Sequence, residues 1–425
     1  MKLLLKGGRI IDPSQKIDLN GDLLIAEGKI KEIAPEIHAE SAKIINCQGL
    51  IVCPGLIDMH VHLREPGEEW KETIATGTLS AVAGGFCAVA CMPNTKPPND
   101  NAEVTRFILK KAAEANLARV FPVACITKAQ KGEELTEFGE LKDAGAVALS
   151  DDGYPVPDAG LMRLALEYAK NFDLPIISHS EELSLSQGGH VNEGLASAKL
   201  GLKGIPREGE AIAIFREVML AKLTGYPVHI AHVSTRLGVE IIRAAKAQGI
   251  PVTAETAPHY FSLTEEATFG YRTNAKVNPP LRTEEDREAI CQALADGTID
   301  AIATDHAPHS PLEKVCEFEK AACGLIGLET ALPLALRLVR EKVFSLSRMI
   351  ELMSLNPARI LKIYGGSLKL EAPADVTVFD PEKRWVVTED ALHSKSKNSP
   401  FLGWEMQGQA LLTIVAGEIK FSRLD

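Results

Sequence analysis

Residues 55–67 read GLIDMHVHLREPG, an apolar run that ends in His60, His62 and Arg64, each two positions from the next. Along an extended strand, positions i, i+2 and i+4 share a face, so these three side chains project together. Two neutral imidazoles presented side by side can hold one Zn2+ at about 2.0–2.1 Å each. A lone His-x-His pair is weak evidence, because most such histidines lie at a surface or are hydrogen-bonded in a core. The rest of the chain supplies what the pair lacks. His179 follows an apolar run in ISHSE, and His232 ends another in IAHVS. Asp151 and Asp152 follow ALS, and Asp305 follows AIAT. Together these are the donors of a hydrolytic metal centre, where a divalent cation polarises a carbonyl and makes water nucleophilic near neutral pH. Burying so many polar groups with no cation among them would be costly.

The donors are far apart in the chain, so regular elements must gather them. Eight apolar, β-branched runs predict strands at 56–62, 87–92, 119–124, 145–150, 174–178, 227–232, 251–255 and 299–304. Amphipathic helical patterns lie between them, among them EVTRFILKKAAEAN, GLMRLALEYAKNF, LGVEIIRAAKAQG and EEDREAICQALADG. Eight strands alternating with helices favour an α/β fold of the (β/α)8 TIM-barrel type over an open doubly wound sheet. In such a barrel the chemistry sits on the loops after the strand ends, where His60, His62, Asn94, Asp152, His179, His232, Asn278 and Asp305 all fall.

Short alternating strands in residues 1–52 (KLLLKGGRIID, GDLLIAEGKIKEIA) share their texture with ADVTVFDPEKRWVVT and GQALLTIVAGEIKFS near the other end. We expect a small β-sandwich built from both termini (1–52 and 364–425), with the barrel, 53–363, inserted between its halves.

The 425 residues carry a net charge of -11, which argues against a nucleic acid or an anionic membrane as partner. No apolar run approaches the roughly 20 residues that cross a bilayer, and no signal-like segment opens the chain, so a cytoplasmic protein is expected. The eight cysteines form no Cys-x-x-Cys pair and most lie in apolar runs. We read them as reduced, with Cys87 and Cys91 in the core rather than on a metal.

The stretches DMHVHLREPG, MPNT, SDDG, ISHSE, IAHVST, ETAPHY, KVNPPLR and ATDHAPHS together resemble the dihydroorotases of the long bacterial type, within the amidohydrolase superfamily. KSKNSPFLGWEMQG, at 395–408, is similar to the same enzymes and to hydantoinases. The resemblance covers essentially the whole chain. It implies two Zn2+, one on His60, His62 and Asp152 and a second on His179, His232 and Asp152, with Asp305 touching the first and serving as catalytic acid/base. Related hydantoinases and allantoinases bridge their metals with a carboxylated lysine. Strand four here ends in ALSDDG and Lys142 precedes the strand, so Asp152 is the expected bridge, with Asp151 as the alternative.

The implied reaction is the reversible interconversion of N-carbamoyl-L-aspartate and dihydroorotate, a step of pyrimidine synthesis. Arg64 can grip the substrate carboxylate as a fork, with Asn94 adding a donor. By resemblance Asn278 contacts the ring amides, His309 the carboxylate, and the backbone near Cys323 and Gly324 the ring edge, while His62 also faces the substrate. Segment 306–323 is expected to cover the mouth. His259 is expected to be structural, His229 to pack on its strand, and His38, His190 and His393 to lie at the surface. A homodimer is expected, with association with aspartate carbamoyltransferase a further expectation. The competing readings are another cyclic amidase (hydantoinase, dihydropyrimidinase or allantoinase) or a non-catalytic dihydroorotase-like subunit of a carbamoyltransferase complex.

Overall fold

A computed structural model describes residues 2–424. The N-terminal strands are β1 (Lys2–Asp12), β2 (Ile17–Ala26), β3 (Lys29–Ala34), β4 (Lys43–Asn46) and β5 (Ile51–Pro54). The barrel strands follow as β6 (Leu56–Val61), β7 (Phe86–Cys91), β8 (Arg119–Ala124), β9 (Ala148–Ser150) and β10 (Ile176–Ser178). After a separate short pair, β11 (Val191–Asn192) and β12 (Gly204–Ile205), come β13 (Val228–Ile230), β14 (Val252–Thr256) and β15 (Ala301–Ile302). The chain ends in β16 (Val376–Val386), β17 (Glu405–Val415) and β18 (Glu418–Ser422).

The eight barrel strands lie in chain order, each parallel to the next. The seam between β6 and β15 carries little backbone ladder. It is closed by the His62 N–H donating to His306 O at 2.8 Å and by the Asp58 carboxylate, which accepts from the Thr304 N–H at 3.1 Å. Burial on both faces explains the unbroken apolar runs of these strands. Several are shorter than the sequence predicts: β9 and β10 start later, whereas β13 and β15 end early, their last expected residues turning out of the ladder toward the mouth.

Helices follow the expected patterns, with caps written in the sequence. Asn101 accepts from the Glu103 and Val104 N–H groups at the start of Ala102–Ala115, and Thr283 forms a capping box with Asp286 ahead of Glu284–Asp296. The short helix Phe138–Ala144 carries Lys142, whose Nζ donates to Phe172 O.

Both termini do join in one unit. β5 pairs antiparallel with β16, and the sheet runs β18-β17-β16-β5-β1-β2-β3. β1 is the branch point: Leu3–Lys6 pair with β4, whereas Arg9 and Ile10 pair with β5. The two leaves therefore share β1 and enclose one core, made of Leu3, Leu5, Leu23 and Ile25 with Val376, Val378, Leu412 and Ile414.

Candidate active site and metal centre

Each predicted donor sits at a strand end on one rim. His60 lies in β6, and His62 and Arg64 follow it; Asp152 follows β9, His179 β10, His232 β13, and Asp305 follows β15. Arg64, His232 and Asp305 adopt left-handed backbone (φ 62°, 36° and 49°), a conformation costly for residues other than glycine and concentrated where function requires it.

Asp152 is the hub. Its Oδ1 lies 3.4 Å from His60 Nε2, 3.4 Å from His179 Nδ1 and 3.5 Å from His232 Nε2, and its Oδ2 lies 3.5 Å from His62 Nε2. Asp305 Oδ1 is 3.1 Å from His62 Nε2 and 3.7 Å from His60 Nε2. Asp151 faces the other way, taking the Ile126 and Thr127 N–H groups and the Thr127 hydroxyl. Of the two aspartates, then, Asp152 faces the imidazoles. Lys142 is far from this rim, held on Phe172 O.

Three of the imidazoles have one nitrogen engaged on a fixed acceptor and the other turned inward. His60 Nδ1 lies 2.6 Å from Glu255 Oε1, His62 Nδ1 2.8 Å from Asn94 Oδ1, and His179 Nε2 2.9 Å from Glu181 Oε2. Those acceptors place the proton on the outer nitrogen and leave a lone pair facing the carboxylates, the tautomer that a metal ligand needs. Two groups of donor atoms lie close enough to share an ion: His60, His62 and Asp305, and His60, Asp152 and His232. His60 Nε2 and Asp152 Oδ1 are buried with no hydrogen-bond partner, and the inward nitrogens of His179 and His232 stand 2.8 Å apart. Such a contact requires a proton or a cation between the lone pairs. The donor set fits divalent metal.

Burial opposes charge on Asp305, yet the His62 hydrogen bond and the neighbouring His60, His62 and His232 hold its carboxyl below the ordinary range. Glu255, equally buried, is pulled down to about 2, against the cost of burial, by the facing His60 and His229 rings.

One cavity of about 290 Å³ is lined by His62, Arg64, Asn94, Asp152, His179, His232, Asn278, Asp305, His309, Cys323 and Gly324. Every residue proposed from the sequence lines it except His60, which lies beneath. Arg64 is buried and, among the described residues, pairs with no carboxylate. Its Nε donates to Pro308 O at 3.1 Å, and its Nη2 is 3.2 Å from His309 Nε2. His309 Nε2 also lies 2.8 Å from Cys323 O and, as an N–H, donates there. It then cannot accept from Arg64, so guanidinium N–H groups remain for a ligand. Gly324 has φ +132°, and a Cβ there would lie 2.6 Å from Ala307 Cβ and 3.2 Å from His309 Nε2, so the wall requires glycine.

The sequence reading missed Glu255, Glu181 and Asp58. Asp58 and Glu255 are single buried acids in apolar runs, and a buried acid that needs a partner was the available signal; Glu181 is half-buried, two residues from His179. It also misplaced one histidine. His393 is half-buried with Nδ1 2.8 Å from Glu329 Oε2, whereas His190 lines a second cavity that adjoins the first at Gly153, Asn278 and Cys323. His38 is exposed as expected, and His229 is packed within the barrel between Thr253 and Glu255. The eight cysteines are free, and six of them, Cys87 and Cys91 included, are buried.

Residues 49–237 match the family model described as dihydro-orotase-like. The chain is 58% identical over 424 residues to a dihydroorotase of Geotalea daltonii, covering 100% of both chains, and 58% identical over 422 residues to that of Geobacter sp. strain M21, covering 99% of each. Among solved structures it is similar to the L-hydantoinase (dihydropyrimidinase) of Arthrobacter aurescens, with a TM-score of 0.89, 26% identity, and coverage of 100% of this chain and 96% of that one. The D-hydantoinase of Thermus sp. shares the fold, with a TM-score of 0.84 at 23% identity and coverage of 100% and 96%. Full-length identity at this level, with the donor geometry above, shows that the chain belongs to the dihydroorotase family of the amidohydrolase superfamily.

Proposed function

We propose that the protein is a metal-dependent dihydroorotase, interconverting dihydroorotate and N-carbamoyl-L-aspartate in pyrimidine synthesis. The observation that carries this reading is the juxtaposition, at one cavity, of the four-imidazole, two-carboxylate cluster with an Arg64 guanidinium that, among the described residues, forms no ion pair with a carboxylate. His60, His62, Asp152 and Asp305 would hold one Zn2+, and Asp152, His179 and His232 a second. Bound metal supplies a Lewis acid for the amide carbonyl and lowers the pKa of the attacking water.

The chain's own residues do the rest. Arg64 anchors the substrate carboxylate, with Asn94 and His309 beside it and Asn278 and the Cys323–Gly324 backbone along the ring. Asp305 takes the water proton as the oxygen bonds to the ring carbonyl carbon. It returns that proton to the ring nitrogen as the C–N bond breaks, leaving a ureido group and a carboxylic acid that ionises by releasing its remaining proton to solvent; cyclisation reverses each transfer. Asn94 and Glu255 keep His62 and His60 in the ligand tautomer.

Hydantoinase-type chemistry is the weaker reading: a carboxylated lysine has no candidate at the end of β9, and a neutral dihydropyrimidine ring would leave Arg64 without a partner. We favour a cytoplasmic homodimer. Ile212, Phe215, Met219 and Leu223 form an exposed apolar row on the helix Arg207–Thr224, at 50%, 55%, 46% and 61% exposure, which supports association. Among the described residues no helix is long and apolar enough to cross a membrane.

The test is a substrate panel. Turnover of dihydroorotate far above dihydrouracil, hydantoin and allantoin, lost by orders of magnitude in Asp305→Asn with metal retained, is the expected result. Preference for dihydrouracil would overturn it.

A further inference from the structure

The segment KSKNSP, distinctive in the sequence, has no part in the chemistry above. In the structure residues 393–399 run across the catalytic face as a strap between two loops. On one side Ser394 Oγ and the Lys395 N–H bond to Glu72, and Ser396 Oγ donates to Lys71 O at 2.7 Å. Those residues belong to the loop that begins at Arg64. On the other side lies Asn398, buried, with every amide atom engaged. Its Oδ1 accepts the His309 N–H at 3.0 Å, and its Nδ2 donates to Ala307 O at 3.0 Å and Gly324 O at 3.1 Å. Its own carbonyl accepts the Ile326 N–H at 3.1 Å.

All three side-chain partners of Asn398 line the catalytic cavity, and Asn398 itself does not. Ala307 and Gly324 are the two stems of the 306–324 segment, and His309 stands against the guanidinium of Arg64. We propose that Asn398 is a positioning residue: it locks both stems, and so sets the wall of His309, Cys323 and Gly324 against which Arg64 receives the substrate carboxylate. The inference rests on the carboxylate reading of Arg64. An amide is required because one acceptor and two donors must point to three backbone groups at once. Aspartate would set a charge against two carbonyls, and alanine would leave three buried groups unpaired.

The experiment measures KM and kcat for dihydroorotate, with metal content, in the intact Asn398→Ala, Arg64→Ala and doubly substituted proteins. Asn398→Ala is expected to raise KM about tenfold, with kcat within about threefold of the parent and full metal content. The double variant is expected to bind no worse than Arg64→Ala alone, because both changes remove one interaction. A KM unchanged in Asn398→Ala, or penalties that multiply in the double variant, would overturn the proposal. An unchanged KM in Arg64→Ala would instead bring down the carboxylate reading, and the proposal with it. If Asn398→Ala does not fold, Asn398→Ser, which keeps one donor and acceptor, is read by the same criteria.

Discussion

Glu255 illustrates how much of a metal site lies behind its ligands. Its two oxygens reach His60 Nδ1 at 2.6 Å and His229 Nε2 at 3.3 Å, deep in the barrel. A glutamine in its place offers the imidazole a donor as readily as an acceptor, so the ligand tautomer is no longer fixed. Glu255→Gln is therefore expected to weaken metal binding by about 10- to 100-fold in a chelator competition, with the fold retained. His259 is a different case. Among the described residues neither of its ring nitrogens has a hydrogen-bond partner, and burial lowers its pKa from 6.5 to about 4. Between those values the unfolded chain binds more protons than the folded one, so stability rises with pH through this window and is lost as pH falls. The cost at pH 5 relative to pH 7 is about 2 kcal/mol. His259→Leu should reduce that difference in urea midpoints by a like amount; an identical pH dependence would contradict the burial argument.

The elements were the most legible level of the sequence. Apolar runs of strand length, alternating with amphipathic patterns and flanked by cap residues such as Asn101 and Thr283, specify local structure through local chemistry. The seam was not legible, because Asp58 sits in an apolar run and its partner Thr304 is 246 residues away. Burial raises the Asp58 pKa to about 7, so the position tolerates a neutral acceptor but not the loss of one. Asp58→Ala leaves the Thr304 and His60 N–H groups unpaired and should cost about 2–4 kcal/mol in denaturant unfolding. Asp58→Asn should cost much less. Equal costs for the two would mean that volume, not hydrogen bonding, holds the seam.

At the scale of the whole molecule, the sequence identified which residues meet but not what orients them. His60, His62, Asp152, His179, His232 and Asp305 share the signature of a polar residue at the end of an apolar run. Glu181, Glu255 and Asn398 act through contacts that only the folded chain creates, so spacing carries no trace of them. The choice between Asp151 and Asp152 had the same cause: adjacent residues point in opposite directions, and the Thr127 loop decides which faces inward. The joining of the two termini likewise depends on the pairing of β5 with β16, segments more than 300 residues apart.

Metal is what the proposed chemistry cannot do without. Purified protein should contain one to two equivalents of zinc, interconvert N-carbamoyl-L-aspartate and dihydroorotate, lose that activity on chelation and regain it on adding Zn2+. Chelated protein that is fully active, or zinc-replete protein that leaves both compounds unchanged, would contradict it.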